Sequence, residues 1–369
     1  MRILLVTDAW EPQVNGVVRT LSRTVAECRA MGHEVEVVSP DQFKTLPMPT
    51  YPEIRLAMGA YEPMQERFKA FEPEAIHIAT EGPVGLAARR LCIEWKLPFT
   101  TSYHTRFPEY VAARFPAPVS AGYAYMRWFH KPSGRVMVTT PTMREELTRR
   151  GFRNLSPWSR GVDTQMFHPD RAAEFPDLLK DAPRPIFLNV GRVAPEKNIE
   201  AFLALDLPGS KVVVGDGPAR EALQERYPDA IFAGAQQGEK LAAYFAIADV
   251  LVFPSLTDTF GLVILEAMAA DTPVAAFPAP GPIDIIPGSG AGAVDEDLRK
   301  ACLEALDIEK GAARRYAEGF SWRASTEEFV LNLQPYPEPE KTRFWRRLRR
   351  LARLRRRTPV KPPETGASA

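Results

Sequence analysis

Apolar residues in this chain fall into two alternating rhythms, and the alternation runs almost unbroken to about residue 333. RILLVT opens it as a short apolar run, which reads as a strand. Val17 to Met31 then carries helical spacing, Gly32 ends it, and EVEVVSP follows as a second strand. AIHIA, the stretch Val84 to Lys96, PFTTSYH, a long aromatic stretch ahead of Ser133, and RVMVTT followed by TMREELTRR repeat the pattern. Repeated strand–helix units predict a parallel sheet covered by helices on both faces, with ligands beyond the carboxyl ends of its strands.

A second series follows an acidic, proline-containing stretch with no strong period. PIFLNV and the helix IEAFLAL begin it, SKVVVG, IFAG, Glu239 to Ala248 and DVLVFPS continue it, and PVAAFPAPGP and GAGAV add strand-like pieces. The expected architecture is α/β with two parallel-sheet domains. Residues 1–168 make the first, 169–184 a linker, 185–311 the second, 312–333 closing helices, and 334–369 a separate tail. A chain of 369 residues is too long for one ordinary core and suits that division.

The densest signal is PSLTDTFGLVILEAMAA, Pro254 to Ala270. The run Val250 to Phe253 reads as a buried strand, the Thr-Asp-Thr cluster as a loop, and everything from Gly261 as a helix hidden from water. Glu266 breaks the apolar pattern in the second turn of that helix, and an ionised carboxylate is almost never buried without a partner. Asp258 lies just before the helix, whose N-terminus favours a bound anion. Two acids, a loop and a helix start make a cradle for a phosphorylated, hydroxyl-rich ligand. The competing reading is that Asp258 or Thr259 caps the helix and Glu266 pairs with a structural arginine.

Other candidates fall at strand ends. Arg192 and Lys197 flank the loop GRVAPEKN, where a fork of donors and a point charge together can clamp a diphosphate. Gly215 and Gly217 mimic part of a dinucleotide fingerprint, but the third glycine position is Arg220, which argues against a nicotinamide enzyme. Asn15-Gly16 precedes the first helix, where glycine allows close approach to a phosphate and where plain turn and cap chemistry is equally at home. His104 closes a strand at the sheet's carboxyl edge. Tyr110 to Arg135 mixes aromatic and cationic residues, which suits either a packed helix or a face near lipid headgroups. Asp295, Glu296 and Asp297 open a helix, where acids serve capping and the dipole, so they imply no metal.

Composition adds two constraints. The three cysteines are scattered and odd in number, which suggests reduced thiols in a cytoplasmic protein. The start of the chain lacks the longer apolar stretch of a secretory signal, and no run is long enough to span a membrane. Charge is unevenly spread: of 47 basic and 46 acidic residues, eleven and three follow residue 337, leaving 36 and 43 in the body. The body is therefore no general polyanion binder, and the tail is a device of its own. In TRFWRRLRRLARLRRR, Phe344, Trp345, Leu348 and Leu351 gather on one helical face while Arg346, Arg349 and Arg350 point away, with Arg347 adding to the charge. That is a basic amphipathic helix suited to an anionic leaflet, and no nucleic-acid module accompanies it. The expected location is the inner face of the membrane, peripherally bound.

Asp258 and Glu266, with seven residues between them, resemble the paired-Glu signature of glycosyltransferase family 4, with Asp258 one methylene shorter than the family's first acid. GRVAPEKN, the GDGP turn, the Asn15-Gly16 loop and the SYHT segment around His104 are similar to family motifs too, and the resemblance covers residues 1 to about 333. It implies the GT-B fold, two Rossmann-like domains facing a cleft, and transfer from a nucleotide-sugar with retention of configuration. Arg192 and Lys197 would then stabilise the diphosphate, with backbone at Phe260, Gly261 and Leu262 and the glycines Gly16, Gly191, Gly215 and Gly217 beside the nucleotide. Glu266 would hold the ribose, and Asp258 and His104 would orient the sugar. The resemblance implies a front-face route, and neither metal nor cofactor is expected. Family frequency favours a UDP-sugar donor, and the tail favours a lipid acceptor such as diacylglycerol or a glycolipid. Saccharide or polyprenyl-linked acceptors, a GT-B nucleotide-sugar epimerase and a non-catalytic sugar-nucleotide binder are the alternatives.

Overall fold

A computed structural model describes residues 1–48, 51–112 and 118–336. The expected amphipathic segment, Phe344 to Leu351, lies outside the described residues.

Two six-stranded parallel sheets dominate. The first runs in the order β2-β1-β5-β6-β7-β8. Its strands are β1 (Arg2–Val6), β2 (Glu34–Val38), β5 (Ala75–Ile78), β6 (Thr100–Ser102), β7 (Arg135–Val138) and β8 (Leu155–Pro157). Ile3 to Val6 are buried on both sides, as a central parallel strand with helices on each face requires. Between them in sequence, β3 (Lys44–Met48) and β4 (Tyr51–Met58) form an antiparallel hairpin that the apolar pattern did not announce. Leu46 and Met58 there are more than half exposed and the small Ala57 is buried, so the large apolar side chains reveal no inward face.

The second sheet has the order β11-β10-β9-β12-β13-β14. It is built from β9 (Ile186–Val190), β10 (Ser210–Val214), β11 (Ile231–Gly234), β12 (Val250–Phe253), β13 (Val274–Ala276) and β14 (Gly292–Val294). In each sheet the strand order reverses beside the first strand in sequence, between β1 and β5 and between β9 and β12. Such switch points open a crevice at the carboxyl ends of the strands, where ligands of these folds bind. The loops carrying Gly16, Arg192, Lys197 and Asp258 all leave strands flanking those two crevices.

The stretch between the sheets is packed, with Phe167 and Leu179 buried in the second domain's core. After it, helix Ala312–Ala317 lies on helix Leu262–Ala269, while helix Trp322–Asn332 returns to the first domain and packs on helix Gly16–Ala30. Phe329 and Leu333 join the core around Trp158, and Asn332 donates to Pro157 O at 2.7 Å. All three cysteines are buried and free, and burial pushes the thiols of Cys28 and Cys302 up to about 12.

Candidate active site

The second domain supplies a cation and a carboxylate held against each other. Beyond β9 the chain turns at Gly191, forms a single 3-10 turn at Pro195–Lys197, and enters helix Ile199–Leu203. Lys197 Nζ lies 2.6 Å from Asp258 Oδ1. Burial works against its charge, but Asp258 and Tyr110 outweigh that and hold the ammonium more firmly protonated than usual. Thr257 Oγ1 donates to Glu196 O at 3.0 Å and Asn198 Nδ2 to Pro254 O at 3.1 Å, which ties the two loops together. Arg192 is half-buried in the same turn.

Gly215 and Gly217 answer a backbone requirement. A Cβ on Gly215, at φ +151°, would lie 1.8 Å from Gly191 O, and one on Gly217 would lie 2.4 Å from Val193 O. These glycines let the turn after β10 rest directly on the turn after β9. Gly191 differs, because a Cβ there would meet nothing within 4 Å.

Helix Leu262–Ala269 starts at Gly261 (φ +86°) with no side-chain cap, which leaves its first N–H groups for a ligand. Phe260 points the other way, into the core. The helix start abuts the first domain: a Cβ on Gly16 would lie 3.7 Å from Leu262 Cδ1. The N-terminus of helix Gly16–Ala30 is capped internally, since Asn15 Oδ1 accepts from Val17 N and Val18 N at 3.0 Å each. Cap chemistry therefore explains Asn15, while a Cβ on Gly16 would make only ordinary contact with the other domain.

Glu266 is 7% exposed and pairs with an arginine of the other domain, Arg19, whose Nη1 lies 2.6 Å from Oε1. Burial raises its carboxyl and Arg19 opposes that rise. Its second oxygen, Oε2, and Asp258 Oδ2 are both buried with no hydrogen-bond partner. A buried oxygen left unpaired is costly, and two of them at one seam fit the hydroxyl groups of a polyol.

His104 lies at the carboxyl end of β6. Arg160 Nη2 approaches its Nδ1 at 3.3 Å, and Ser102 Oγ its Nε2 at 2.8 Å. A guanidinium can only donate, so Nδ1 accepts and the ring proton sits on Nε2, facing Ser102. Burial, then Arg160, keeps the imidazole well below its usual pKa and hence neutral. Both ring nitrogens are thus committed inside the protein, leaving neither for the sugar hydrogen bond that the resemblance implies. Its carbonyl instead accepts from Thr259 Oγ1 at 2.7 Å, while Thr139 Oγ1 donates to Thr259 O at 2.7 Å. The acidic loop is therefore clasped by the first domain on both sides of Thr259.

Three residues of the first domain escaped the sequence reading. Tyr110, on helix Phe107–Ala112, hydrogen-bonds with Thr257 close to Lys197 and Asp258. Arg160 is almost fully buried over the Trp158 ring, and burial pushes its guanidinium down to about 9. Arg19 reaches Glu266 across 247 positions. Only Tyr110 carried a sequence signal, as part of the aromatic, cationic stretch. Of that stretch, Tyr123, Met126, Phe129 and His130 are core, while Trp128 stands 51% exposed over Arg89. Asp297 caps helix Leu298–Ala305 and Asp295 pairs with Lys300, which accounts for the acidic triplet. Among the described residues no cluster of three or more His, Cys, Asp or Glu could hold a metal ion.

Comparison with known proteins finds matches over most of the chain. Residues 14–166 match the model described as Glycosyltransferase Family 4, and residues 184–307 the model described as Glycosyl transferases group 1. The chain is 30% identical to a GDP-mannose-dependent alpha-mannosyltransferase of Mycobacterium tuberculosis, covering 89% of this chain and 95% of that protein. It is 27% identical to an alpha-monoglucosyldiacylglycerol synthase of Streptococcus pneumoniae, over 83% and 78%. Among solved structures, a sucrose-phosphate synthase from Thermosynechococcus elongatus superposes with a TM-score of 0.74 at 22% identity, covering 89% and 97% of the two chains.

Proposed function

The chain belongs to glycosyltransferase family 4, and from that premise we propose that it moves a hexose from a nucleoside-diphosphate sugar to a lipid hydroxyl with retention of configuration. The observation that carries this reading is the Lys197–Asp258 ion pair at the interdomain seam, where Asp258 Oδ2 and Glu266 Oε2 are buried without partners. Charge gathers on the diphosphate as the glycosidic bond breaks, so the reaction calls for preorganised cations and N–H groups around the leaving group. Lys197, Arg192 and the uncapped start of helix Leu262–Ala269 supply them. Asp258 and Glu266 accept the donor's hydroxyls. His104, fixed in one neutral tautomer, acts as a wall and through its carbonyl rather than as a proton donor.

The lipid acceptor is supported by the name of the Streptococcus relative and by the aromatic, arginine-rich tail. No described helix is long and apolar enough to cross a membrane, so contact with lipid is assigned to surface groups. The Mycobacterium relative is named for GDP-mannose, which sets GDP-mannose beside UDP-glucose as donor. The test is incubation of the full chain with each labelled donor and vesicles of phosphatidylglycerol and diacylglycerol. Label is expected in the lipid phase for one donor, and less of it with a chain ending at Tyr336. A new free nucleotide-sugar would mark an epimerase, and no turnover of either donor would count against transfer.

A further inference from the structure

We infer that Arg19 is a positioning residue for the donor's ribose: held by the first domain, it grips one oxygen of Glu266 and leaves the other for the ribose hydroxyls. The nucleotide site is then whole only when the two domains are closed on each other. This rests on the reading above, in which Glu266 faces the nucleotide.

Arg19 sits one turn into helix Gly16–Ala30, and Asn15 anchors the start of that helix. Its Nη1 takes Glu266 Oε1 at 2.6 Å and leaves Oε2 buried and unpartnered. A ribose presents two adjacent hydroxyls, and Oε2 can accept from them without displacing the guanidinium. Arg19 therefore acts as a brace, where a blocking group would have claimed both oxygens. The same closed seam is held by Thr259 with His104 and Thr139, and by Thr142 N donating to Asp284 Oδ1 at 3.0 Å.

Among the described residues no other charged group shifts Glu266. From the elements packed around its helix, Arg314 donates to Ala269 O and pairs with Glu318, and Asp271 accepts from Gly311 N. Glu239 pairs with Arg171, and Arg23, beside Arg19 on the first helix, pairs with Asp163. Removing the Arg19 charge therefore leaves the carboxyl with burial alone, which favours the neutral form. An ionised carboxylate is the better acceptor, so nucleotide affinity should fall as pH drops through the raised pKa and return as pH rises.

Titration calorimetry of UDP and of GDP with wild-type, Arg19→Gln and Arg19→Lys proteins between pH 5.5 and 8.5 tests this. Arg19→Gln should bind about tenfold or more weakly at the acid end of this range, with the deficit shrinking as pH rises. Arg19→Lys should stay within about threefold of wild type, because a charge alone restores most of the brace. Equal binding by Arg19→Gln at every pH would overturn the inference, as would tighter binding, which would make Arg19 a blocker. A loss independent of pH and not rescued by lysine would overturn it as well. Wild-type protein that binds neither nucleotide would instead remove the underlying reading, and the inference with it.

Discussion

Lys197→Ala is expected to lower kcat by about two to three orders of magnitude, the loss seen when one preorganised charge-stabilising donor is removed. KM for the donor should change far less, because the ammonium matters most once the leaving diphosphate has gained its charge. Lys197 is fixed by its 2.6 Å contact with Asp258, and that loop is tied to the next through Thr257 and Asn198. The ammonium therefore need not reorganise during the reaction. Both side chains keep some exposure, 24% and 19%, so water can take the place of the ammonium beside Asp258 Oδ1 and the fold should survive. Lys197→Arg should recover part of the rate. The check is the lipid-transfer assay run beside thermal melting. A variant within about threefold of wild-type kcat would remove Lys197 from its place beside the leaving group.

Gly215→Ala should be the most damaging single methyl group in the second domain. Its Cβ would be driven to 1.8 Å from Gly191 O, at a φ of +151° that side chains rarely adopt. Backbone must shift on one turn or the other, at a cost of about 3–5 kcal/mol, near the top of the range for single substitutions. In melting experiments that is a drop of about 10 °C or more. Gly288→Ala is the control: it has a φ of +76° with nothing within 4 Å, so it carries backbone strain of about 1 kcal/mol without the clash. Melting temperatures that match for the two variants would show that clearance between the turns is not what Gly215 provides.

These two residues mark where the sequence was legible. The alternation of apolar runs located both parallel sheets, because central strands are apolar through their buried length, Ile3 to Val6 in β1 and all of β12, and their helices keep a 3.6-residue period. The hairpin of β3 and β4 escaped because Leu46 and Met58 point into solvent and leave no buried alternation to read. Lys197 and Asp258 stood out because each follows a strand end. Gly215 and Gly217 drew attention as nucleotide glycines, when the constraint on them is the neighbouring turn, which local pattern cannot show. Arg19 and Arg160 were invisible for a related reason: their partners, Glu266 and His104, are brought to them only by the fold.

The central claim is that the cleft holds a nucleotide-sugar by its diphosphate and delivers the sugar to a hydroxyl from the face the leaving group departs. The most direct test is the one-bond C1–H1 coupling, by NMR, at the anomeric centre of the glycolipid made from an α-linked donor. An α-linked product is the expected result. A β-linked product would contradict the account, because it requires attack from the face opposite the diphosphate that Lys197 holds.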